Sequence, residues 1–379
     1  MKNTKEKSRN QNSLDFPFVG YVGYAVTKFF SSFTKLSYLL DRIETLLLRG
    51  RINELTIDRP IYIVGLARAG TTITLEMLDR HKFLASHKYK HLPMPFLPFA
   101  FSHFTELSRF FTKPIERVHK DGIFVTRESP EAVEEKFWQH FFTNNHNEEI
   151  SNIMDGAISN PQFEQFYRSH IRKLLLNQNS SRYLAKNNYL ITRLEYLNRV
   201  FPNSKFLLII RNPVNHIASL IKQTRLFIKM EEENPTLIDW HKITGHSEFG
   251  HYQLCINTGD NELIHKIRRL WKNEKTYVKG WAYYWVSLYD YAMNLIEANK
   301  KIKESTLIIR YEDLCDNPAE IIDKILSHSE LPLDNFEKIK KYYIRHLHKP
   351  TYYTPDFSSE ELLQISKITN ATASRFGYS

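Results

Sequence analysis

The 379 residues are enough for a sizeable core, and a 42% hydrophobic, 25% charged composition without repeats or long low-complexity tracts excludes a solenoid and a mostly disordered chain. Lys and Arg outnumber Asp and Glu by 52 to 42, which suits an anionic partner; yet Lys266-Ile-Arg-Arg269 and Lys338-Ile-Lys-Lys341 are short and helix-like, which sets nucleic acid aside. Cys255 and Cys315 stand far apart without metal-type spacing, which argues against a disulfide framework or a bound metal and for a reducing, cytoplasmic setting.

Residues 1–12 read as a disordered tail, and residues 13–379 as one domain. Within it, residues 13–56 form a helical preface. Residues 16–48 mix aromatics with Lys, Arg, Asp and Glu, so they fit neither a signal peptide nor an uninterrupted transmembrane span. Two helices packed on the core are expected there, with an interfacial helix over residues 18–40 and weak membrane-surface contact as the lesser alternative.

Ile61 to Val64 predict a buried strand, followed by a small-residue turn, Gly65-Leu-Ala-Arg-Ala-Gly70, and a helix opened by Thr71 and Thr72. Gly65, Ala67, Ala69 and Gly70 are small enough for backbone N–H groups to approach an anion at the helix N-terminus. A nucleotide-triphosphate loop would carry Lys before its hydroxyl residue, and here Arg68 is the loop's only cation.

Residues 82–86 suggest the next strand or its approach. Three prolines between Lys88 and Pro98 predict a loop over the site. Over residues 127–143 a helix is expected, with Ser129 as N-cap, Pro130 at its first position and acidic residues in the first turn. A helix over 163–177, a strand over 182–186, a second strand over 206–210 ending in Arg211, and a helix carrying Ser219 come next. Residues 225–280 read as an acceptor-side insertion, irregular at first, with a turn at Asn257-Thr-Gly-Asp260. The aromatics from Trp281 to Tyr291 fit a buried helix, and 306–309 a last strand. Strands alternating with helices predict an α/β fold, a central parallel sheet flanked by helices.

Gly65-Leu-Ala-Arg-Ala-Gly-Thr-Thr72 resembles the 5′-phosphosulfate loop of the sulfotransferases in its Arg-Ser-Gly-Thr-Thr form, with Ala69 in place of Ser. Phe206-Leu-Leu-Ile-Ile-Arg211, with Ser219 eight residues on, resembles the family's 3′-phosphate site, where an Arg fork and a Ser hydroxyl converge on one phosphate. The Phe-Pro that ends the preceding helix is similar to the tyrosylprotein sulfotransferase type. Arg310-Tyr-Glu-Asp-Leu314 matches a third segment beside the nucleotide. Together these span roughly two-thirds of the chain.

The resemblance implies a P-loop NTPase-like three-layer sandwich. It also implies sulfuryl transfer from 3′-phosphoadenosine-5′-phosphosulfate (PAPS), with adenosine 3′,5′-bisphosphate (PAP) as product and no metal, to a hydroxyl or amine of a small-molecule, glycan or lipid acceptor. Gly65, Arg68, Ala69, Gly70, Thr71, Thr72, Arg211, Ser219 and Tyr311 would then hold the nucleotide. Lys186 resembles the catalytic Lys of the tyrosylprotein type, although Asn187-Asn188 stand where that type has Asp-Pro.

The catalytic Glu of the tyrosylprotein type falls at Tyr89 here, while a His is the usual base in the cytosolic sulfotransferases. His91, in a Lys-His-Leu-Pro segment, is the first candidate for the general base, and His87, His119 and Glu128 are alternatives. A kinase-like phosphotransferase and a non-catalytic PAP- or PAPS-binding relative remain open as alternative functions. Acceptor identity and oligomeric state are not written in the sequence.

Overall fold

The computed structural model describes residues 20–107, 114–117, 119, 122–350 and 354–378; the tail expected over 1–12 lies outside the described residues. The preface is helical from Gly20, as α1 (Gly20–Ser32) and α2 (Thr34–Leu47). What ties α2 down is polar. Ser37, Asp41 and Glu44, spaced to share one helix face, are its buried residues. The Lys173 ammonium lies 2.6 Å from Asp41 and 2.7 Å from Glu44. Burial drives the Asp41 carboxyl up to about 6 against the pull of Lys173.

Next in the chain come β1 (Ile61–Val64), α3 (Thr71–Asp79), β2 (Leu84–Ala85), α4 (Pro161–Gln178), β3 (Arg182–Lys186), β4 (Lys205–Ile210), α5 (Pro213–Glu233), α6 (Thr236–Thr244), α7 (Glu274–Ala298) and β5 (Thr306–Arg310). The five strands pair in parallel, in the order β2-β3-β1-β4-β5. All of β1 is buried because both faces are covered. Ile61 and Ile63 pack with Leu75, Leu78 and Ile322 on one side. Tyr62 and Val64 pack with Tyr167, Phe206 and Trp285 on the other.

Register then fixes the place of the site. Ile63 pairs with Lys186, Val64 with Leu208, and Ile210 with Arg310, so four strands end along one edge of the sheet. Chain order reverses on either side of β1, the place where open α/β sheets receive ligands.

Two segments differ from expectation. Ser129 caps no helix: its hydroxyl accepts from the Thr126 N–H, and the helix starts only at Glu135. Residues 127–131 instead lie along the 87–90 segment, with Tyr89 N donating to Ser129 O, Lys90 N to Arg127 O, and Glu131 N to His87 O. Backbone groups committed to that pairing cannot also close helical turns. Nor is 225–280 irregular at first: α5 continues through Glu233, its charged run being an exposed face around the buried Phe227 and Glu231, and α6 follows. The irregular part is residues 245–260, which ends where Asp260 accepts from the Leu263 N–H and starts a helix.

The proline-rich segment runs as successive tight turns, the first at Tyr89–His91, and Pro98 opens a helix, Pro98–Leu107, that sequence reasoning did not foresee. Trp281, Trp285 and Tyr289 on α7 are fully buried, which makes that aromatic series core. Among the described residues no helix is long and apolar enough to cross a membrane.

Candidate active site

The turn after β1 is shaped by close approach. At Gly65 (φ +141°) a Cβ would stand 2.4 Å from the Ile209 carbonyl oxygen on β4, and at Gly70 (φ +104°) 2.4 Å from the Tyr311 ring. Only glycine fits either place. Arg68 itself has φ +70°, a conformation that side-chain-bearing residues rarely adopt. With Gly70 as N-cap, no side chain caps the first turn of α3, and its amides face the crevice at the positive end of the helix.

Around this loop the structure brings four of the sequence-nominated residues together. Arg68 Nε donates to the Ser219 hydroxyl at 3.2 Å, and Arg211 Nη1 donates to the Arg68 carbonyl at 3.3 Å. The Arg211 guanidinium lies 5.3 Å from the centre of the Tyr311 ring. Arg211 leaves the end of β4, Tyr311 the end of β5, and Ser219 sits on α5, whose N-cap Asn212 accepts from Val214 N and Asn215 N. The sheet edge therefore gathers residues that lie far apart in sequence.

Two openings flank the loop. One, about 1110 Å³ with its solvent mouth, is lined by Arg211, Asn215, Arg310, Tyr311 and Lys349 among others. It holds the cations Arg211, Arg310 and Lys349 beside Glu312 and Asp313, and carries the Tyr311 ring. The other, about 930 Å³ with its mouth, takes Arg68, Thr71 and Thr72 from the loop side and Lys186 from the end of β3. Its far wall mixes Leu92, Phe227, Trp240 and Phe249 with Tyr89, Glu131, His246 and Glu248.

Burial lowers the Lys186 ammonium below the usual lysine range, with Glu131 and then Glu248 pulling the other way. Burial would raise Glu248, but His246 at 3.7 Å, then Lys186 and Asn188, hold it at about 2. Asn188 Nδ2 donates to Glu248 at 2.7 Å. The carboxylate in turn raises His246 against its own burial. The result is alternating charge along one partly exposed wall.

The base nominated from sequence is misplaced. His91 is fully buried. Its Nδ1 accepts the Lys88 N–H at 3.0 Å and its Nε2 meets the Ser102 hydroxyl at 2.9 Å. The Tyr89–His91 turn rolls the imidazole away from the opening and under the 98–107 helix. His87 is buried beside it, 3.0 Å from His170, and burial drives it down to about 3. Glu128 is on the surface, paired with Lys90 at 2.8 Å. Of the alternatives only His119 lines the opening, against Phe227.

Sequence reasoning missed Glu131, His246 and Glu248. Glu131 belonged to a segment whose acids suited a helix first turn, and its carboxylate instead hydrogen-bonds Tyr89. His246 and Glu248 stand in the irregular stretch after α6, where no motif marks them.

A cationic, glycine-bounded turn at a sheet switch point, with a second cation at the end of a neighbouring strand, is an arrangement that suits an anionic group on an α/β protein. Residues 60–241 match the model of the sulfotransferase family. Sulfotransferase STF9 from Mycobacterium avium shares the fold with a TM-score of 0.53 at 13% identity, over 88% of this chain and 81% of that one. Sulfotransferase STF1 from Mycobacterium tuberculosis H37Rv aligns with a TM-score of 0.47 at 14% identity, over 95% and 87%. No curated protein sequence matches. Over residues 60–241, then, the chain is similar to the sulfotransferase family, and the fold agrees with that likeness.

Proposed function

We propose that this protein is a sulfotransferase that uses PAPS as donor and an alcohol held in the opening beside Lys186 as acceptor. The observation that carries the reading is the split of cations about one loop, with Arg68 and Lys186 on one side and Arg211 with Tyr311 on the other. That pattern fits a ligand with anionic groups at both ends. The turn that closes at Gly70 under Tyr311, which a single added Cβ would fill, suits with Thr71 and Thr72 the 5′-phosphosulfate, and Arg211 with Ser219 suits the 3′-phosphate.

When bound, PAPS supplies the sulfuryl group. The chain's own contribution would be placement and charge: Arg68, the first-turn amides of α3 and Lys186 would hold the oxygens on which negative charge builds. Acceptor deprotonation falls to Glu131, which lines the same opening as Lys186 and is held by Tyr89, the residue at the position of the tyrosylprotein type's catalytic Glu. The apolar wall of Phe227, Trp240 and Phe249 favours an acceptor with a hydrophobic part. A kinase-like reading is disfavoured by the loop, which has Arg68 and no Lys.

Calorimetry with PAP in the absence of divalent metal tests the donor. Micromolar binding, roughly 8 kcal/mol, lost in Arg68→Ala and Arg211→Ala is the expected result. Binding of Mg-ATP and not PAP would refute it, and PAP binding without sulfuryl transfer to any of a panel of alcohols would favour the non-catalytic relative.

A further inference from the structure

Helix α2 is amphipathic in the reverse sense for a helix packed on a core. It buries Ser37, Asp41 and Glu44. It exposes Leu36, Leu39, Ile43, Leu46 and Leu47, the last two at 68% and 79%. Phe29 and Phe33, about half exposed with rings 4.9 Å apart, continue the row onto α1, and the helical hydrogen bonding runs on through Phe33. Positions 29, 33, 36, 39, 43 and 46 follow one another every three or four residues and so form one stripe.

Lys35, Arg42 and Arg49 are exposed, seven residues apart, and border one edge of that stripe. The two carboxylates of α2 are both turned inward to Lys173. The outward face of α2 therefore carries apolar side chains and positive charge, without a carboxylate.

We propose that this face docks on an anionic lipid surface, α2 lying in the plane of the interface. Acyl chains would cover the leucines, while Lys35, Arg42 and Arg49 extend to the headgroups. A second copy of the chain fits less well, since a two-fold pairing of this face would bring like charges together with no α2 carboxylate to offset them. Residues 1–12 hold Lys2, Lys5, Lys7 and Arg9 against Glu6, with Met1 as their one apolar side chain, so they add charge and little apolar cover. The face also adjoins the acceptor-side opening. Lys28 on α1 pairs with Asp239 on α6 at 3.0 Å, and Ser31 donates to the Ile243 carbonyl, while Trp240, His241 and Thr244 of α6 line the opening.

Sedimentation of the full chain with vesicles tests the proposal: phosphatidylcholine alone against phosphatidylcholine with about one-third phosphatidylglycerol. The native chain should pellet with the anionic vesicles and stay in solution with the neutral ones. The triple variants Leu39→Ser/Ile43→Ser/Leu46→Ser and Lys35→Glu/Arg42→Glu/Arg49→Glu should each lose at least about tenfold in partitioning, with unchanged far-UV circular dichroism and melting. A native chain that ignores anionic vesicles would overturn the proposal, as would variants that still pellet. So would a dimer in light scattering that becomes monomer in the serine variant, because the stripe would then be an interface between copies.

Discussion

The indole N–H of Trp285 donates to Nδ1 of His216 at 3.2 Å, deep under the phosphate-binding turn. An indole nitrogen can only donate, so Nδ1 must accept and the ring proton must sit on Nε2. From there it is donated to the Ala67 carbonyl at 2.8 Å. A core tryptophan on α7 thereby fixes the tautomer of a histidine on α5, and the histidine holds the residue next to Arg68. Replacing His216 by Ala leaves a buried carbonyl and a buried indole N–H unmet. The expected cost is about 2 kcal/mol or more in stability by urea unfolding, and about tenfold in PAP affinity by calorimetry. A loss of stability with unchanged PAP affinity would mean that the loop holds its shape without this support.

Gly70 tests the loop from the other side. An added methyl would meet the Tyr311 ring at 2.4 Å, at a φ of +104° that alanine tolerates poorly. Gly70→Ala should lose at least about tenfold in PAP affinity and about 1–3 kcal/mol in stability. Tyr311→Leu in the same chain should return part of the stability by opening room for the methyl. Native-like PAP binding in Gly70→Ala would contradict the fit of Tyr311 over the loop.

The sheet was readable in sequence because its strands are continuous apolar runs closed by polar residues. Thus Phe206 to Ile210 ends at Arg211, and the fold could only place that end beside Gly65 and Gly70. Arg211 and Tyr311 were legible for the same reason, since each follows a strand directly. The acceptor wall was not. Glu131, His246 and Glu248 come from segments whose course is set by side-chain packing and by the 87–90 with 127–131 backbone pairing, neither of which leaves a periodic trace. His91 misled for a related reason: a histidine near prolines reads as a loop residue, and burial among His87, Ser102 and His170 depends on contacts distant in sequence.

Histidine burial gives a pH dependence whose sign can be worked out. Burial drives His216 down to about 3, outweighing the Ala67 hydrogen bond, against about 6.5 in the unfolded chain. Its contribution is therefore complete above pH 6.5, declines as the unfolded chain takes up protons below that, and is fully lost near pH 3. Asp41 and Glu134, which burial raises to about 6 and about 7, work in the opposite direction between pH 7 and 5. They are common to the native chain and to His216→Gln, so comparing the two isolates the histidine. The stability advantage of the native chain over His216→Gln should shrink by about 2 kcal/mol from pH 7 to pH 5. A constant gap would show that His216 is not held neutral.

Lys186 and Glu131 share one opening, and they should separate in kinetics because only one of them carries positive charge to the transferred group. Lys186→Ala removes a cation aimed at developing charge, so kcat should fall by about 10²–10³ while PAP affinity stays within about threefold. Lys186→Arg, with a planar head of different reach, should recover only part of this. Glu131→Gln keeps the shape and the bond to Tyr89 but cannot take a proton; kcat should fall by about 10²–10⁴, and the acidic limb of the pH–rate profile should vanish. A Glu131→Gln enzyme that retained that limb, with His246→Gln abolishing it instead, would transfer the role of base to His246, which Glu248 shifts upward from the same wall.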